Sequence, residues 1–190
     1  MVTTWIFEPG HTEIAFRARH MMVTWVRGAF KDVHGRLEFD WATCLESSFT
    51  GWADTEKLWT GEPDRDAHLK SADFFDVDKH PTMRFASKRV ERHGDDYRIV
   101  GDLTIKDVTR EVELDYEHGG DLQDPFGNRK LGGSLTGTVK RSEWGLTWNV
   151  PLDSGGWLVS DNVKLEVDLQ VAETTEVVAE EAKAEAEISS

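Results

Sequence analysis

Hydrophobic and polar residues alternate with a period of two along most of this chain. In residues 12–19, Ile14, Phe16 and Ala18 fall on one side of an extended backbone, whereas Glu13 and Arg17 fall on the other. The pattern recurs in residues 33–39, 97–105, 110–116, 135–140 and 163–171. Such alternation predicts β-strands with one buried face and one face in water.

Short turn signals separate these runs, which predicts an all-β fold of about eight or more closely spaced strands. The economical architectures are an antiparallel barrel and a sandwich. A parallel α/β sheet is excluded, because its strands need intervening helices. Glycines within the predicted strands favour sharp bends and therefore a closed barrel. They are Gly28, Gly35, Gly51, Gly101 and Gly137.

One segment breaks the alternation. Residues 65–77 are amphipathic at helical spacing and contain the adjacent Phe74 and Phe75. We predict one helix over residues 65–75, packed alongside the barrel, with the two phenylalanines sealing the wall. Asp66 suits the start of a helix, where the helix dipole favours a negative charge. This interpretation leaves no paired acid and base in the segment.

The composition changes after Val171. Residues 172–190 contain six Glu, one Lys and no aromatic residue, so they cannot bury enough apolar area to offset the entropy of ordering. We therefore predict one domain over residues 1–171 and a disordered acidic tail over residues 172–190. A body of this length can bury a sizeable core without disulfides, and Cys44 is the only cysteine.

Charge and hydropathy limit the partners and the location. The net charge of −14 argues against nucleic acid and against an anionic membrane surface, and the basic residues are scattered along the sequence. No run of 18 apolar residues predicts a transmembrane segment, and the start lacks the features of a signal peptide. These observations predict a cytoplasmic protein. Whether two copies form a homodimer is left open.

The motifs of common enzymes are absent from the sequence. It contains no Gly-x-Ser-x-Gly elbow, no phosphate-binding glycine loop, no His-Glu-x-x-His and no dinucleotide fingerprint. The seven histidines show no close pair at strand or helix spacing, so we predict no metal site and no catalytic residue. His20 and His68 are candidates for hydrogen bonds to a ligand head group. The alternative is that each is a histidine satisfied by a protein partner.

Several motifs occur in the order expected of one known family. They are residues 11–16, 20–21 and 26–30, then residues 65–77 with His80 and Pro81, then residues 101–109 and 141–146. On these motifs the chain resembles the YceI-like family of lipocalin-like polyisoprenoid-binding proteins, over residues 5–171. Two differences are visible. Many family members are exported, whereas the start of this sequence lacks the features of a signal peptide. Glu143 and Trp144 stand where the family usually has aspartate and phenylalanine.

The resemblance implies an eight-stranded antiparallel barrel whose long apolar cavity takes an isoprenoid chain. The expected function is to bind, carry or sequester a polyisoprenoid or similar long-chain lipid, such as a quinone or a polyprenyl precursor. No other cofactor and no catalysis are expected. The predicted ligand-binding residues are Ile14, Phe16, Ala18, His20, Met21, Val26, Phe30, Leu37, Phe39, His68, Phe74, Phe75, Met83, Phe85, Leu103, Ile105, Leu114 and Trp144.

A barrel of about eight strands either fills itself with side chains or holds one slender ligand, and periodicity does not separate the two. Inward glycines that leave room, and Met21, Met22 and Met83 as adaptable side chains, favour a cavity. The alternative is a solid barrel that acts as a stress or protein-interaction module, with the acidic tail recruiting a basic partner.

Overall fold

A computed structural model describes residues 2–40, 42–94 and 96–174 of the chain. Strands dominate this part, and one α-helix, α1 (Pro63–Lys70), interrupts them. The described strands are β1 (Val2–Phe7), β2 (Glu13–His20), β3 (Thr24–Phe30), β4 (Val33–Asp40), β5 (Ser48–Asp54), β6 (Leu58–Trp59), β7 (Thr82–His93), β8 (Asp96–Ile105), β9 (Val108–Gln123), β10 (Arg129–Lys140) and β11 (Val159–Glu173). No helix in the described residues is long and apolar enough to span a membrane.

The eleven described strands form an eight-stranded antiparallel barrel. The two numbers differ because three of the eight barrel strands are interrupted, and each of the three is therefore counted as two strands. A 3₁₀ turn (Pro9–His11) divides β1 from β2, and a second one (Thr55–Lys57) divides β5 from β6. Asp32, with φ of 62°, bends the chain between β3 and β4. Neighbouring strands follow the chain order, and β11 closes the ring by pairing with both β1 and β2. The predicted barrel is confirmed.

Helix α1 is shorter than predicted and begins earlier. The Glu62 side chain accepts hydrogen bonds from the N–H groups of Asp64 and Arg65, which caps the first turn. The helix ends at Lys70 instead of residue 75, because Ser71 takes an extended conformation and its hydroxyl donates to the His68 carbonyl at 2.7 Å. Phe74 and Phe75 therefore lie in the turns after the helix.

Side chains fill the half of the barrel that carries the β9–β10 turn. Trp5, Leu131 and Val171 are almost fully buried there, with Ile99 and Leu169 beside them. Burial of this apolar surface supplies most of the favourable free energy of folding. The opposite half, which carries the β2–β3 turn and α1, is packed less completely. We call it the β2–β3 end.

Strand β11 continues beyond the predicted end of the domain. Ala172 pairs with Ile6 of β1 and with Lys130 of β10, and Glu173 pairs with Trp5. The first two residues of the predicted tail therefore belong to the barrel. The rest of the predicted acidic tail, residues 175–190, lies outside the described residues.

Candidate ligand cavity

The barrel encloses a cavity of about 180 Å³ near the β2–β3 end. It lies between the first halves of β9 and β11 and the second halves of β8 and β10, so it does not reach the packed core around Trp5. Its size is similar to that of an engineered apolar cavity of about 150 Å³ that stays dry and binds benzene. The sequence left open whether the barrel is solid or holds a cavity, and the structure has a cavity.

Apolar side chains form nearly all of the cavity wall. Arg84 and Arg141 are the two charged residues among those that line it. Twelve of the predicted ligand-binding residues belong to the wall: Ile14, Phe16, Ala18, Phe30, Phe74, Phe75, Met83, Phe85, Leu103, Ile105, Leu114 and Trp144. The period-two pattern placed the nine strand residues of this set on the inner face, whereas Phe74, Phe75 and Trp144 lie in turns. The contact of all twelve with a ligand stays a prediction.

Two of the other predicted residues lie at the far half of the barrel. Leu37 stands opposite Trp5 and Phe49 in the sheet, and Phe39 follows it along β4. Both pack against the core cluster and are only partly buried. Neither residue lines the cavity, although Phe49, the neighbour of Leu37 on β5, does so, and the contact of Leu37 and Phe39 with a ligand stays a prediction.

Three more predicted residues lie where β2 and β3 meet. His20 is the last residue of β2 and pairs with Thr24, while Met21 is exposed in the turn that follows. Val26 stands opposite Ala18 but is not part of the wall. The inward register of β2 continues to His20, and Val159, which pairs with His20, lines the cavity, but His20 itself is not part of the wall.

His68 lies on α1, outside the cavity wall. Its Nε2 lies 3.0 Å from an Asp73 carboxylate oxygen, and its ring contacts Phe74 and Trp148 edge-on. His68 therefore has the protein partner that the alternative reading required. Its role is to hold the turn after α1 in place, with Phe74 beneath it.

Arg141 is one of the cavity residues that the sequence analysis did not predict, and with Arg84 it is one of the two that carry a charge. The side chain is 7 % exposed, and it donates hydrogen bonds to the carbonyls of Ser160, Trp148 and Leu146. Within the described residues Nη2 makes no hydrogen bond. Burial lowers the pKa of the Arg141 guanidinium, and the Asp161 carboxylate opposes that shift.

A sequence signal for Arg141 exists. Leu135, Gly137 and Val139 alternate on the inner face of β10, and Arg141 continues that register by one step. Arg141 also lines an outer pocket of about 430 Å³ together with Met22 and Trp157. A buried cation thus stands between the apolar cavity and the outer pocket.

Aromatic side chains close the cavity on this side. Phe75 packs edge-on against Phe30, with ring centroids 5.3 Å apart. Trp144 is buried, and its indole N–H donates to the Leu103 carbonyl at 3.0 Å. Trp148 packs at 5.5 Å from Phe74. Trp144, at the position where the family usually has phenylalanine, therefore forms part of the cavity wall and makes a hydrogen bond across the barrel.

Gly51 belongs to the cavity wall, but two other inward glycines, Gly28 and Gly35, do not leave room for the cavity as predicted. A Cβ atom on Gly35 would lie 2.6 Å from the Phe7 ring, and one on Gly28 would lie 2.4 Å from the Phe16 ring. The space over each glycine is therefore taken by an aromatic ring. In the described part of the chain, no three His, Cys, Asp or Glu side chains come together as a metal site.

Comparisons with known proteins agree with this fold. A model of the YceI-like domain matches residues 5–171. A UPF0312 protein of Pectobacterium atrosepticum is 37% identical over 140 residues, which are 74% of this chain and 73% of that protein. The crystal structure of a Campylobacter jejuni YceI protein superposes with a TM-score of 0.71 at 30% identity, covering 83% of this chain and 90% of that one.

A more distant structure shares the fold. It is a protein from Saccharophagus degradans described as a polyisoprenoid binding domain, with a TM-score of 0.63 and 11% identity. The superposition covers 92% of this chain and all of that one. The family model spans the whole barrel and the relatives match most of their length. The chain therefore belongs to the family of proteins with a YceI-like domain.

Proposed function

We propose that the protein binds the apolar chain of an isoprenoid lipid in the barrel cavity and carries or sequesters it without chemical change. The observation that carries the proposal is the composition of the wall, which is apolar apart from Arg84 and Arg141. A cavity of this kind stays dry, and its lining atoms lack contact partners on one side. An apolar guest restores those contacts and gains about 25 cal/mol for each Å² of surface it buries.

The size of the cavity limits the guest that fits without rearrangement. About 180 Å³ holds a molecule near the size of benzene, or roughly one to two isoprene units. A quinone tail or a polyprenyl chain is longer, so its entry requires side chains to move. Met83 has a flexible side chain, and Phe74 and Phe75 lie in turns rather than in a strand. We propose that these three residues move when a longer chain enters.

Arg141 is the group that we assign to the head of the ligand. Its guanidinium lies at the boundary between the cavity and the outer pocket, and Nη2 has no hydrogen-bond partner in the described chain. An oxygen of a quinone, alcohol or phosphate would satisfy that donor. Because Nε and Nη1 already donate to protein carbonyls, the two N–H groups of Nη2 would bind the head group and orient the tail toward the cavity.

The fold of the Saccharophagus domain supports the choice of ligand class, since that protein is described as binding polyisoprenoids. The proposal is tested by the binding of farnesol, measured through quenching of tryptophan fluorescence. Trp144 and Trp148 lie at the cavity and beside Phe74, so a bound guest changes their surroundings. We expect saturable quenching by farnesol.

A pair of variants on one strand separates the cavity from the outer surface. Ala18→Phe adds a ring to the cavity wall, whereas Ala15→Phe adds the same ring to the outer face of β2. Farnesol binding should weaken at least tenfold in the first variant and stay within twofold in the second. Equal binding by both variants would place the ligand outside the cavity and overturn the proposal.

A further inference from the structure

The β2–β3 turn and a neighbouring loop present an apolar surface at one end of the barrel. Met21, Met22 and Val23 are 47%, 60% and 73% exposed, and Trp157 is 55% exposed. The Met21 N–H donates to the Leu158 carbonyl at 2.7 Å, which joins the turn to the loop. We call Met21, Met22, Val23 and Trp157 the apolar tip. Single exposed apolar residues are ordinary, but a contiguous group marks an interaction site.

Four cationic side chains lie beside the apolar tip on the outer face of the barrel. Lys164 of β11 stands opposite Arg17 of β2, and Arg17 stands opposite Arg27 of β3. Arg19 follows on β2, with its Cζ 4.3 Å from the centre of the Trp25 ring. Arg17 and Lys164 each approach the same ring to 5.5 Å. We call Arg17, Arg19, Arg27 and Lys164 the basic row.

The basic row lacks the ion pairs that several other cations in this barrel have. Among the described residues, none of its four members forms an ion pair with a carboxylate. Elsewhere Lys88 pairs with Asp102 at 2.6 Å and Arg98 pairs with Asp115 at 2.7 Å. Like charges opposite each other on adjacent strands destabilise a sheet, and the contacts with Trp25 offset only part of that cost.

The fold creates this cluster from segments that are far apart in the sequence. Residues 17–19, 27 and 164 belong to three strands, so the basic residues are scattered along the chain but clustered in space. The expectation that the net charge of −14 repels an anionic membrane treats the charge as evenly spread. Within the described residues, four cations without an ion pair are instead concentrated on β2, β3 and β11 next to the apolar tip. Glu13 and Glu166, on the same face, lie on the side away from the tip.

We propose that the apolar tip and the basic row dock this protein on the surface of a bilayer that contains anionic phospholipids. The methionines, valine and tryptophan would enter the headgroup region, while the cations meet lipid phosphates. Apolar residues with flanking Lys and Arg are the features that hold peripheral proteins on anionic membranes. Tryptophan prefers the interface between headgroups and chains.

A second exposed apolar site, at the β9–β10 turn, does not have this complement of charge. Phe126 is 89% exposed and Leu122 is 63% exposed. The Asp124 carboxylate accepts hydrogen bonds within that turn, and the nearby Lys130 is ion-paired with Glu8. An anionic bilayer would be repelled by the carboxylates there. Charge complementarity therefore selects the β2–β3 end.

The docking surface lies on the strands that also form the cavity. Ala18 of β2 and Val163 of β11 line the cavity from the inner faces of these strands. Docking would thus bring the cavity end of the barrel to a source of apolar molecules. The docking itself needs no bound ligand, so it can be tested separately from the proposed function.

The test is co-sedimentation of the full chain with vesicles. Vesicles of equal parts phosphatidylcholine and phosphatidylglycerol should bind the protein at low salt and release it at high salt, whereas pure phosphatidylcholine should bind it weakly. The double variant Arg27→Gln, Lys164→Gln should weaken binding about 25-fold, since each cation near an anionic surface contributes about fivefold. The double variant Met22→Ser, Val23→Ser should weaken binding about tenfold.

Matched controls change the same chemistry at other places. Arg92→Gln with Arg110→Gln removes two exposed cations from β7 and β9, and Leu122→Ser with Phe126→Ser removes the other exposed apolar pair. Both should bind within twofold of the original. No binding to phosphatidylglycerol vesicles, or equal losses in the controls, would overturn the proposal. A dimer in sedimentation velocity that Met22→Ser, Val23→Ser dissociates would show that a second copy occupies the tip, and would also overturn it.

Discussion

Replacing Phe74 with alanine removes a side chain that closes the cavity beside α1. Phe74 is 6% exposed, lines the cavity and packs against the rings of His68 and Trp148. The neighbours are held by their own bonds, His68 to Asp73 and the Trp148 carbonyl to Arg141, so the site cannot collapse far. We therefore expect most of the vacated volume to remain as new cavity.

The magnitude follows from that volume. About 100 Å³ of added cavity costs about 2.4 kcal/mol at roughly 24 cal/mol per Å³, and the lost burial of the ring adds about 2 kcal/mol. We expect the free energy of unfolding to fall by about 4 kcal/mol in Phe74→Ala, measured by urea denaturation. Phe126→Ala is the control, because that ring is 89% exposed; its loss should change the stability by less than about 0.5 kcal/mol.

The enlarged cavity should also change ligand binding. Farnesol at about 100 times its dissociation constant stabilises a binding protein by about 2.7 kcal/mol. Because Phe74→Ala opens space beside the existing 180 Å³, this variant should bind farnesol more tightly than the original chain does. A loss of stability below about 1 kcal/mol in Phe74→Ala would refute the view that Phe74 seals a rigid cavity. Weaker farnesol binding in a folded variant would show that the ring itself contacts the ligand.

Three further predictions concern the barrel and the tail. Gly35→Ala should lower the free energy of unfolding in urea denaturation by about 1–3 kcal/mol, because its Cβ would lie 2.4 Å from a backbone oxygen of the neighbouring strand. Gly10→Ala is the control: Gly10 has open space around it, so this change should be neutral or slightly stabilising in the same assay. Burial raises the pKa of Tyr116 to about 12, so the folded state favours the neutral phenol. The resulting contribution to the free energy of unfolding is complete below about pH 10 and is lost by about pH 12, which is a fall of about 2–3 kcal/mol. Tyr116→Phe should remove this fall in urea titrations at both pH values. Truncation after Thr174 should leave farnesol affinity unchanged, whereas the alternative of a tail-dependent interaction module predicts that partner capture by pull-down disappears.

The strands and their inner faces were accessible from the sequence, because alternation is a local property. Ile14, Phe16 and Ala18 repeat at every second residue, and each lies on the cavity wall. The interruptions were not accessible in the same way. Asp32 adopts a left-handed conformation between β3 and β4, and this bend appears only once β4 pairs with β1 and β3 pairs with β2.

The extent of the cavity depends on contacts between distant segments. Leu37 and Phe39 share the inward pattern of Phe16, but Trp5 and Leu131 fill the space around that half of the barrel. Periodicity assigns a face and not a depth. The end of α1 has a local origin instead, because the bond from the Ser71 hydroxyl to the His68 carbonyl, three residues earlier, stops a helix that the residue pattern would continue.

The arrangement of charged residues in space was the property that the sequence predicted least well. Arg17 and Lys164 are 147 positions apart, and only the β2–β11 register places them side by side. The register of β10 indicates the inward position of Arg141, but its burial depends on carbonyls of Leu146 and Trp148 in the following loop and of Ser160 in β11. Predictions that used the net charge of −14 therefore described the average surface and missed the clustering of the basic row.

The predicted cytoplasmic location stays a prediction, and cell fractionation with an antibody against the barrel measures it.

The most direct test of lipid binding is mass spectrometry of the protein purified without added ligand, first under native conditions and then after denaturation. We predict a native mass above that of the polypeptide, and release of an isoprenoid lipid on unfolding. A native mass equal to that of the polypeptide, together with no binding of farnesol or a quinone, would contradict the proposed function.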